Sequence, residues 1–71
     1  MELDVLAPFS GKILELYVQI GDEVKEGDEL LSMEAMKMQN PIYSDSPGVV
    51  KEIKIKPDDE VKEDQVLMIL E

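Results

Sequence analysis

The sequence predicts an all-β protein of about eight short strands, forming a flattened barrel or a sandwich of two sheets whose halves are related by a pseudo-twofold axis. Three observations predict this fold. The chain repeats itself at a spacing of 37 residues, turn residues recur at matching places in both copies, and no segment sustains the 3.6-residue period of a helix. With 71 residues, the chain has room for one domain with a thin hydrophobic core.

The two halves of the chain, residues 1–34 and 38–71, align without a gap. The segment DEVKE at 22–26 recurs at 59–63, and glycine, glutamate and leucine positions coincide on both sides of it. Neither half is long enough to bury its own apolar face, so the two halves should share one core. We therefore expect residues 1–71 to form a single domain built from a duplication.

Turn signals separate the predicted strands in the same order in each half. The segments PFSG at 8–11 and SDSPG at 44–48 precede a long strand in the first and second half, respectively. The segments GD at 21–22 and PDD at 57–59 follow those strands and predict the next turns.

The long strand of the second half shows the clearest β pattern. From Lys51 onward the residues alternate, with Ile53 and Ile55 on one face and charged residues on the other. The last strand of the first half, LLSME at 30–34, corresponds to LMILE at 67–71, which predicts that Met33 lies in the core.

The repeat leaves Ala35-Met36-Lys37 as the join between the halves. If strands extend to Met36 and resume at Met38, the join is a tight hairpin whose two central residues need positive φ, a role that Asn-Gly or Asp-Gly usually fills. Other residues there cost about 1–3 kcal/mol each, which suggests that these are kept for use rather than for folding. The pseudo-twofold axis should place this tip at the end of the domain opposite both termini.

The residues of the tip suit an acceptor rather than a catalyst. The Lys37 stem would project into solvent, where its amine could form an amide with an acyl group activated by a separate enzyme. Met36 and Met38 have flexible, polarisable side chains that suit recognition surfaces. Taken singly, Lys37 and Glu34 are ordinary surface charges, and the two methionines could fill gaps under a loop. Their combination with Ala35 at the join favours a function.

Composition excludes several classes of function. The absence of histidine and cysteine removes the commonest general base and metal ligand, thiolate chemistry and disulfides. The net charge of −10 repels nucleic acid and anionic membranes. No apolar run is long enough to span a membrane, and there is no export signal. We expect a cytoplasmic protein that has no nucleic-acid partner and does not insert into membranes.

The pentapeptide EAMKM at 34–38 resembles the biotin attachment motif of the biotinyl/lipoyl carrier domains, in particular of the biotin carboxyl carrier proteins. The resemblance extends along the chain. The segments APFSGKI at 7–13, GDEVKEGDELLSMEAMKM at 21–38 and GVVKEI at 48–53 are similar to the family's opening turn, its central signature and the matching strand of its second half.

The resemblance implies a flattened barrel-sandwich of two four-stranded sheets with pseudo-twofold symmetry, in which Lys37 lies on an exposed hairpin between the two halves. It also implies that a biotin protein ligase joins biotin to the Lys37 amine through biotinyl-adenylate. Met36 and Met38 correspond to the flanking methionines of the motif, and Ala35 and Glu34 to its leading residues. The implied role is to shuttle carboxybiotin between biotin carboxylase and carboxyltransferase (or decarboxylase) active sites, with no catalysis by the carrier itself.

The sequence departs from the family pattern at three places. Ser44-Asp45 stands where a second Ala-Pro is expected, and Asp58 and Asp64 stand where the first half has Gly21 and Gly27. There is also no inserted thumb segment. Its absence favours the thumbless carriers, which resemble those of pyruvate carboxylase, propionyl-CoA carboxylase, and the decarboxylase and transcarboxylase complexes.

Two alternative functions stay open at the level of sequence. A lipoyl carrier on the same fold usually has acidic residues beside its lysine, as in D-K-A or D-K-V, and Met36 and Met38 do not match that pattern. An unmodified interaction module of similar fold, as found inside membrane adaptor proteins, would have no need of Lys37.

Overall fold

The computed structural model describes residues 2–71, and within them the chain forms eight β-strands. They are β1 (Leu3–Leu6), β2 (Gly11–Leu16), β3 (Glu23–Val24), β4 (Glu29–Ala35), β5 (Met38–Tyr43), β6 (Gly48–Ile53), β7 (Glu60–Val61) and β8 (Val66–Leu70). Two four-stranded sheets result, with the orders β1-β8-β6-β3 and β5-β4-β2-β7. The predicted all-β fold of two four-stranded sheets is confirmed.

The two sheets are related by the sequence repeat. A shift of 37 residues places β2 on β6 and β3 on β7 with identical bounds, and it converts the strand order of one sheet into that of the other. The pairing of Ile13 with Met33 in one sheet corresponds to the pairing of Val50 with Leu70 in the other. The duplication is therefore a pseudo-twofold relation between the two halves, as predicted.

The hydrophobic core draws on equivalent positions of both sheets. Leu30 and Met33 of β4 are fully buried. Their repeat equivalents in β8 are Leu67, which is fully buried, and Leu70, which is almost fully buried. Met33 is a core residue, as predicted. Within residues 2–71, the buried apolar residues are Ala7, Ile13, Val24, Leu30, Leu31, Met33, Ile42, Val50, Ile55, Val61, Leu67, Met68 and Leu70.

The loops of the second half keep the geometry of the first despite their different residues. Gly27 has a φ of 90°, and Asp64 at the equivalent position has a φ of 70°. The Gly27 amide donates to the Ser44 carbonyl over 2.8 Å, and the Asp64 amide donates to the Ala7 carbonyl over the same distance. Ser44 is buried in the place that Ala7 occupies in the first half. Ser44 and Asp64 depart from the family pattern, yet the backbone of the second half keeps the conformation and hydrogen bonds of the first half at these positions.

Between residues 2 and 71 there is no helix long and apolar enough to cross a membrane.

Candidate functional site

The join between the halves is a two-residue hairpin. β4 ends at Ala35, β5 begins at Met38, and these two residues pair across the strands. Met36 and Lys37 form the loop between them, with φ values of 54° and 62°. Two central residues with positive φ are the pattern of a type I′ turn, which matches the twist of the flanking strands. The predicted tight hairpin is confirmed.

The turn sequence is not explained by folding. A left-handed conformation costs a residue with a Cβ about 1–2 kcal/mol. Packing does not offset that cost at Met36, because its side chain is 93% exposed, and Lys37 is exposed as well. An Asn-Gly turn would satisfy the same backbone with less strain.

The Lys37 amine is unpaired within the part of the chain that the structure describes. The ion pairs found between residues 2 and 71 involve Lys12, Lys51 and Lys54, and none places a carboxylate within 4 Å of Lys37 Nζ. Among the same residues, no group of three or more acidic side chains is arranged to bind a metal ion. The site therefore offers a primary amine that has no carboxylate partner among the described residues.

Two methionines flank this amine in the open. The side chain of Met36 is 93% exposed and that of Met38 is 64% exposed, so neither fills a gap under a loop. Glu34 is exposed and Ala35 is half-buried at the ends of the two strands. The structure thus brings all five predicted site residues together at one hairpin, with Lys37 at its apex.

The base of the hairpin is held by close packing against β2. A Cβ added at Gly11 would overlap the carbonyl oxygen of Glu34 and would lie 3.4 Å from the Ala35 Cβ. Only glycine lets β2 approach β4 so closely here. The repeat pairs Gly11 with Gly48, and that pairing is the sequence signal that could have pointed to this contact.

The C-terminal end of the second half pairs with β6 in the same way as the base of the hairpin pairs with β2. Glu71 exchanges two backbone hydrogen bonds with Val49 at the start of β6, over 2.8 and 2.9 Å. Glu34, its repeat equivalent, pairs with Lys12 at the start of β2. The hairpin and the C-terminal end are therefore symmetry counterparts. That the tip lies at the far end of the domain from both termini stays a prediction, and Met1 lies outside the described residues.

A groove of about 650 Å³ lies beside the tip and was not predicted from the sequence. Residues of β2, β4 and β7 line it, and Met36 stands at its border. Its charged lining residues are balanced, with two lysines, Lys12 and Lys62, and two glutamates, Glu34 and Glu60. A partner that encloses Lys37 would meet this mixed surface on one side of the hairpin.

Known proteins similar to this chain share both its sequence pattern and its fold. A family model described as "Biotin-requiring enzyme" matches residues 3–70. The biotin/lipoyl attachment protein of Bacillus subtilis is 38% identical over 68 residues, which make up 96% of this chain and 93% of that protein. The biotin carboxyl carrier protein of acetyl-CoA carboxylase from Haemophilus influenzae is 46% identical over 55 residues, or 78% of this chain and 36% of that one.

A solved structure supports the fold independently. The urea carboxylase of Kluyveromyces lactis superposes with a TM-score of 0.91 and 23% identity, covering 99% of this chain and 6% of that one. The chain therefore spans only a small part of that enzyme's length, and the likeness concerns the fold.

Proposed function

This chain belongs to the biotinyl/lipoyl carrier family, and we propose that it is a biotin carboxyl carrier whose Lys37 holds biotin covalently. The hairpin tip is the observation that carries the proposal. Within residues 2–71 it presents an amine without an ion-pair partner at the apex of a strained turn, between two exposed methionines that packing does not require. Bound biotin supplies the group that accepts and releases CO2.

The residues present at the tip fit an amide-linked group. Such a link requires a reachable primary amine and free space beyond it, and Lys37 has both. Because its amine has no carboxylate partner among the described residues, acylation breaks no ion pair. Acylation removes one positive charge, so the net charge goes from −10 to −11 (−10 − 1). We expect the fold to be insensitive to that change.

Lys37 acts as the nucleophile of the attachment step. Its Nζ, as the neutral amine, attacks an acyl carbon that a biotin protein ligase presents as an adenylate, and one proton passes from Nζ to the ligase or to solvent as the amide forms. The new N–C amide bond replaces the acyl–phosphate bond, and AMP leaves. The side chains beside Lys37 contribute no general base, so activation must come from the ligase.

The hairpin acts as a short, stiff support for a flexible side chain. The β4–β5 ladder runs from the Glu29–Tyr43 pair to the Ala35–Met38 pair, directly below the loop. A two-residue loop leaves the backbone little freedom, while the lysine stem retains its rotamers. This combination suits a carrier that presents one attached group to two separate active sites.

Components of a biotin-dependent carboxylase are the partners that fit. Support comes from relatives named as a biotin carboxyl carrier protein of acetyl-CoA carboxylase, a propionyl-CoA carboxylase alpha chain and a methylmalonyl-CoA decarboxylase gamma subunit. We further propose that a biotin protein ligase modifies the chain, that residues 1–71 act as one non-catalytic carrier domain with halves 1–34 and 38–71, and that it works in the cytoplasm. No nucleic-acid partner is proposed.

The proposal is tested by enzymatic loading in vitro. The purified chain is incubated with ATP, biotin and a biotin protein ligase, and its intact mass is measured. The wild-type chain should gain one biotinyl group, and Lys37→Arg should gain none. Lys62→Arg, which removes a lysine beside the same groove, should be loaded like the wild type. Loading of the Lys37→Arg chain would reject Lys37 as the acceptor.

The lipoyl alternative is kept because one relative is named a biotin/lipoyl attachment protein. A parallel incubation with a lipoate ligase, ATP and lipoate separates the two functions. Addition of a lipoyl group at Lys37 without any biotin loading would replace the biotin proposal by a lipoyl carrier. The two exposed apolar neighbours of Lys37 predict the reverse result.

A further inference from the structure

The described methionines fall into two groups of opposite exposure. Met36 and Met38 are 93% and 64% exposed, whereas Met33 and Met68 are fully buried. A thioether is oxidised to a sulfoxide where an oxidant can reach its sulfur. Residues 2–71 therefore contain two accessible thioethers at the tip and two protected ones in the core, and the protected pair serves as an internal reference.

We propose that Met36 is a peroxide-sensitive modification site and that its oxidation slows the attachment of biotin to Lys37. The second half of this statement rests on the proposed function. In the reaction, one oxygen atom of a hydroperoxide such as hydrogen peroxide is transferred to the sulfur of Met36. The sulfur is oxidised by two electrons to the sulfoxide, and hydrogen peroxide is reduced to water (an organic hydroperoxide to its alcohol).

Met36 is more accessible than Met38 for a structural reason. Met36 lies in the loop itself, with a φ of 54°, so its side chain leaves the hairpin without contacting the core. Met38 is the first residue of β5 and pairs with Ala35, which keeps its side chain partly covered. Oxidation of Met33 requires the core to open first, and that opening lowers its rate.

The fold should tolerate the sulfoxide at position 36, but an enclosing enzyme should not. Met36 contributes almost no buried area, so a more polar side chain removes little packing. Bond formation at Lys37 Nζ requires the ligase to approach within bonding distance of that nitrogen, which brings the adjacent Met36 into the same interface. Burying a polar sulfoxide there without a hydrogen-bond donor is unfavourable, whereas burying a thioether is favourable.

The selectivity is tested by oxidation with hydrogen peroxide followed by peptide mapping. Trypsin places Met33 and Met36 in one peptide, so fragment ions are needed to assign the added oxygen between them. We expect Met36 to be oxidised first and Met38 second, with Met33 and Met68 roughly tenfold slower or more because their oxidation requires opening of the fold. Oxidation of Met33 as fast as Met36 would overturn the proposed site.

The consequence is tested by loading the oxidised chain with a biotin protein ligase. The rate of mass gain should fall roughly fivefold or more in the wild type, since the sulfoxide must be desolvated, and methionine sulfoxide reductases should restore it. Met36→Leu keeps an apolar side chain without an oxidisable sulfur, so its loading rate should not respond to peroxide. An unchanged rate in the fully oxidised wild type, or an equal loss in Met36→Leu, would overturn the proposal.

The two proposals fail in distinguishable ways. A chain that takes up no biotin even before oxidation contradicts the proposed function, and with it the effect on attachment. The peptide map still decides whether Met36 is the selectively oxidised residue. A chain that is loaded normally, both before and after complete oxidation of Met36, refutes only the proposed effect of oxidation on biotin attachment.

Discussion

Met36 adopts a φ of 54° in the hairpin loop, a conformation that costs a residue with a Cβ about 1–2 kcal/mol. We predict that Met36→Gly stabilises the fold by removing this cost. Because the Met36 side chain is 93% exposed, almost no packing is lost. The greater entropy of glycine in the unfolded chain offsets part of the gain, by about 0.5–1 kcal/mol. The expected net stabilisation is about 0.5–1 kcal/mol.

The free energy of unfolding can be measured by urea denaturation and checked by thermal unfolding. For a domain of this size, a gain of that magnitude raises Tm by about 2–8 °C. Met38→Gly is the matched control, because Met38 is also an exposed methionine but lies in β5 without a positive φ. Glycine in a strand should destabilise the fold by about 0.5–1 kcal/mol.

The same Met36→Gly variant should be loaded with biotin more slowly than the wild type, since it removes an apolar contact beside Lys37. Higher stability together with slower loading would show that the tip sequence serves a partner enzyme rather than the fold. If Met36→Gly proved as destabilising as Met38→Gly, the left-handed strain inferred at the turn would be refuted.

Three further predictions concern stability. Gly11→Ala should lower the free energy of unfolding by about 2 kcal/mol or more in urea denaturation, because the added Cβ would overlap a backbone oxygen. Gly48→Ala should lower it clearly less, because its Cβ would lie 3.1 Å from the equivalent backbone oxygen. Asp64→Gly should raise stability by up to about 1 kcal/mol by relieving a positive φ, and a lower Tm would contradict this. The Lys51 ammonium hydrogen-bonds Glu2 and holds the pKa of that carboxyl below its usual value. The contribution of this pair to the free energy of unfolding is therefore fully present above the unfolded-state pKa of Glu2 and is lost as pH falls through its folded-state pKa. Glu2→Gln should accordingly flatten the acidic limb of a plot of stability against pH.

The strands could be predicted from the sequence because the chain contains its own internal comparison. Each turn signal of the first half has a counterpart 37 residues later, and β2 and β6 consequently have equivalent bounds. Local propensity pointed elsewhere at the join, since Glu34-Ala35-Met36-Lys37-Met38 is composed of good helix formers. The strand pairing on both sides of the loop overrides that preference, which is too weak to hold an isolated turn of helix.

The irregularities of the sheets could not be predicted in the same way. Val50 and Ile53 both pack toward the core although they are three residues apart in one strand. A β-bulge between Val50 and Glu52 adds one residue to β6. This bulge explains why the regular alternation of apolar and charged residues begins only at Lys51. The three-residue spacing of Val50 and Ile53 indicates the bulge, but a search for strict two-residue alternation does not detect it.

The positive φ values of Asp58 and Asp64 were also not predicted. The sequence marked Asp58 and Asp64 as replacements for Gly21 and Gly27, and nothing in it showed that they would keep the conformation of the glycines. Aspartate tolerates a positive φ better than most residues, and the backbone hydrogen bonds of the loops hold it there. The groove beside the tip escaped prediction because it combines residues from three strands that are distant in sequence.

The central claim is that Lys37 is the residue that bears biotin. The most direct measurement is tandem mass spectrometry of the chain purified from cells, with fragment ions that assign the position of any biotinyl group. The claim predicts a single biotinyl group on Lys37 and an unmodified amine on each of the other six lysines. Biotin on another lysine, or a lipoyl group on Lys37, would contradict it.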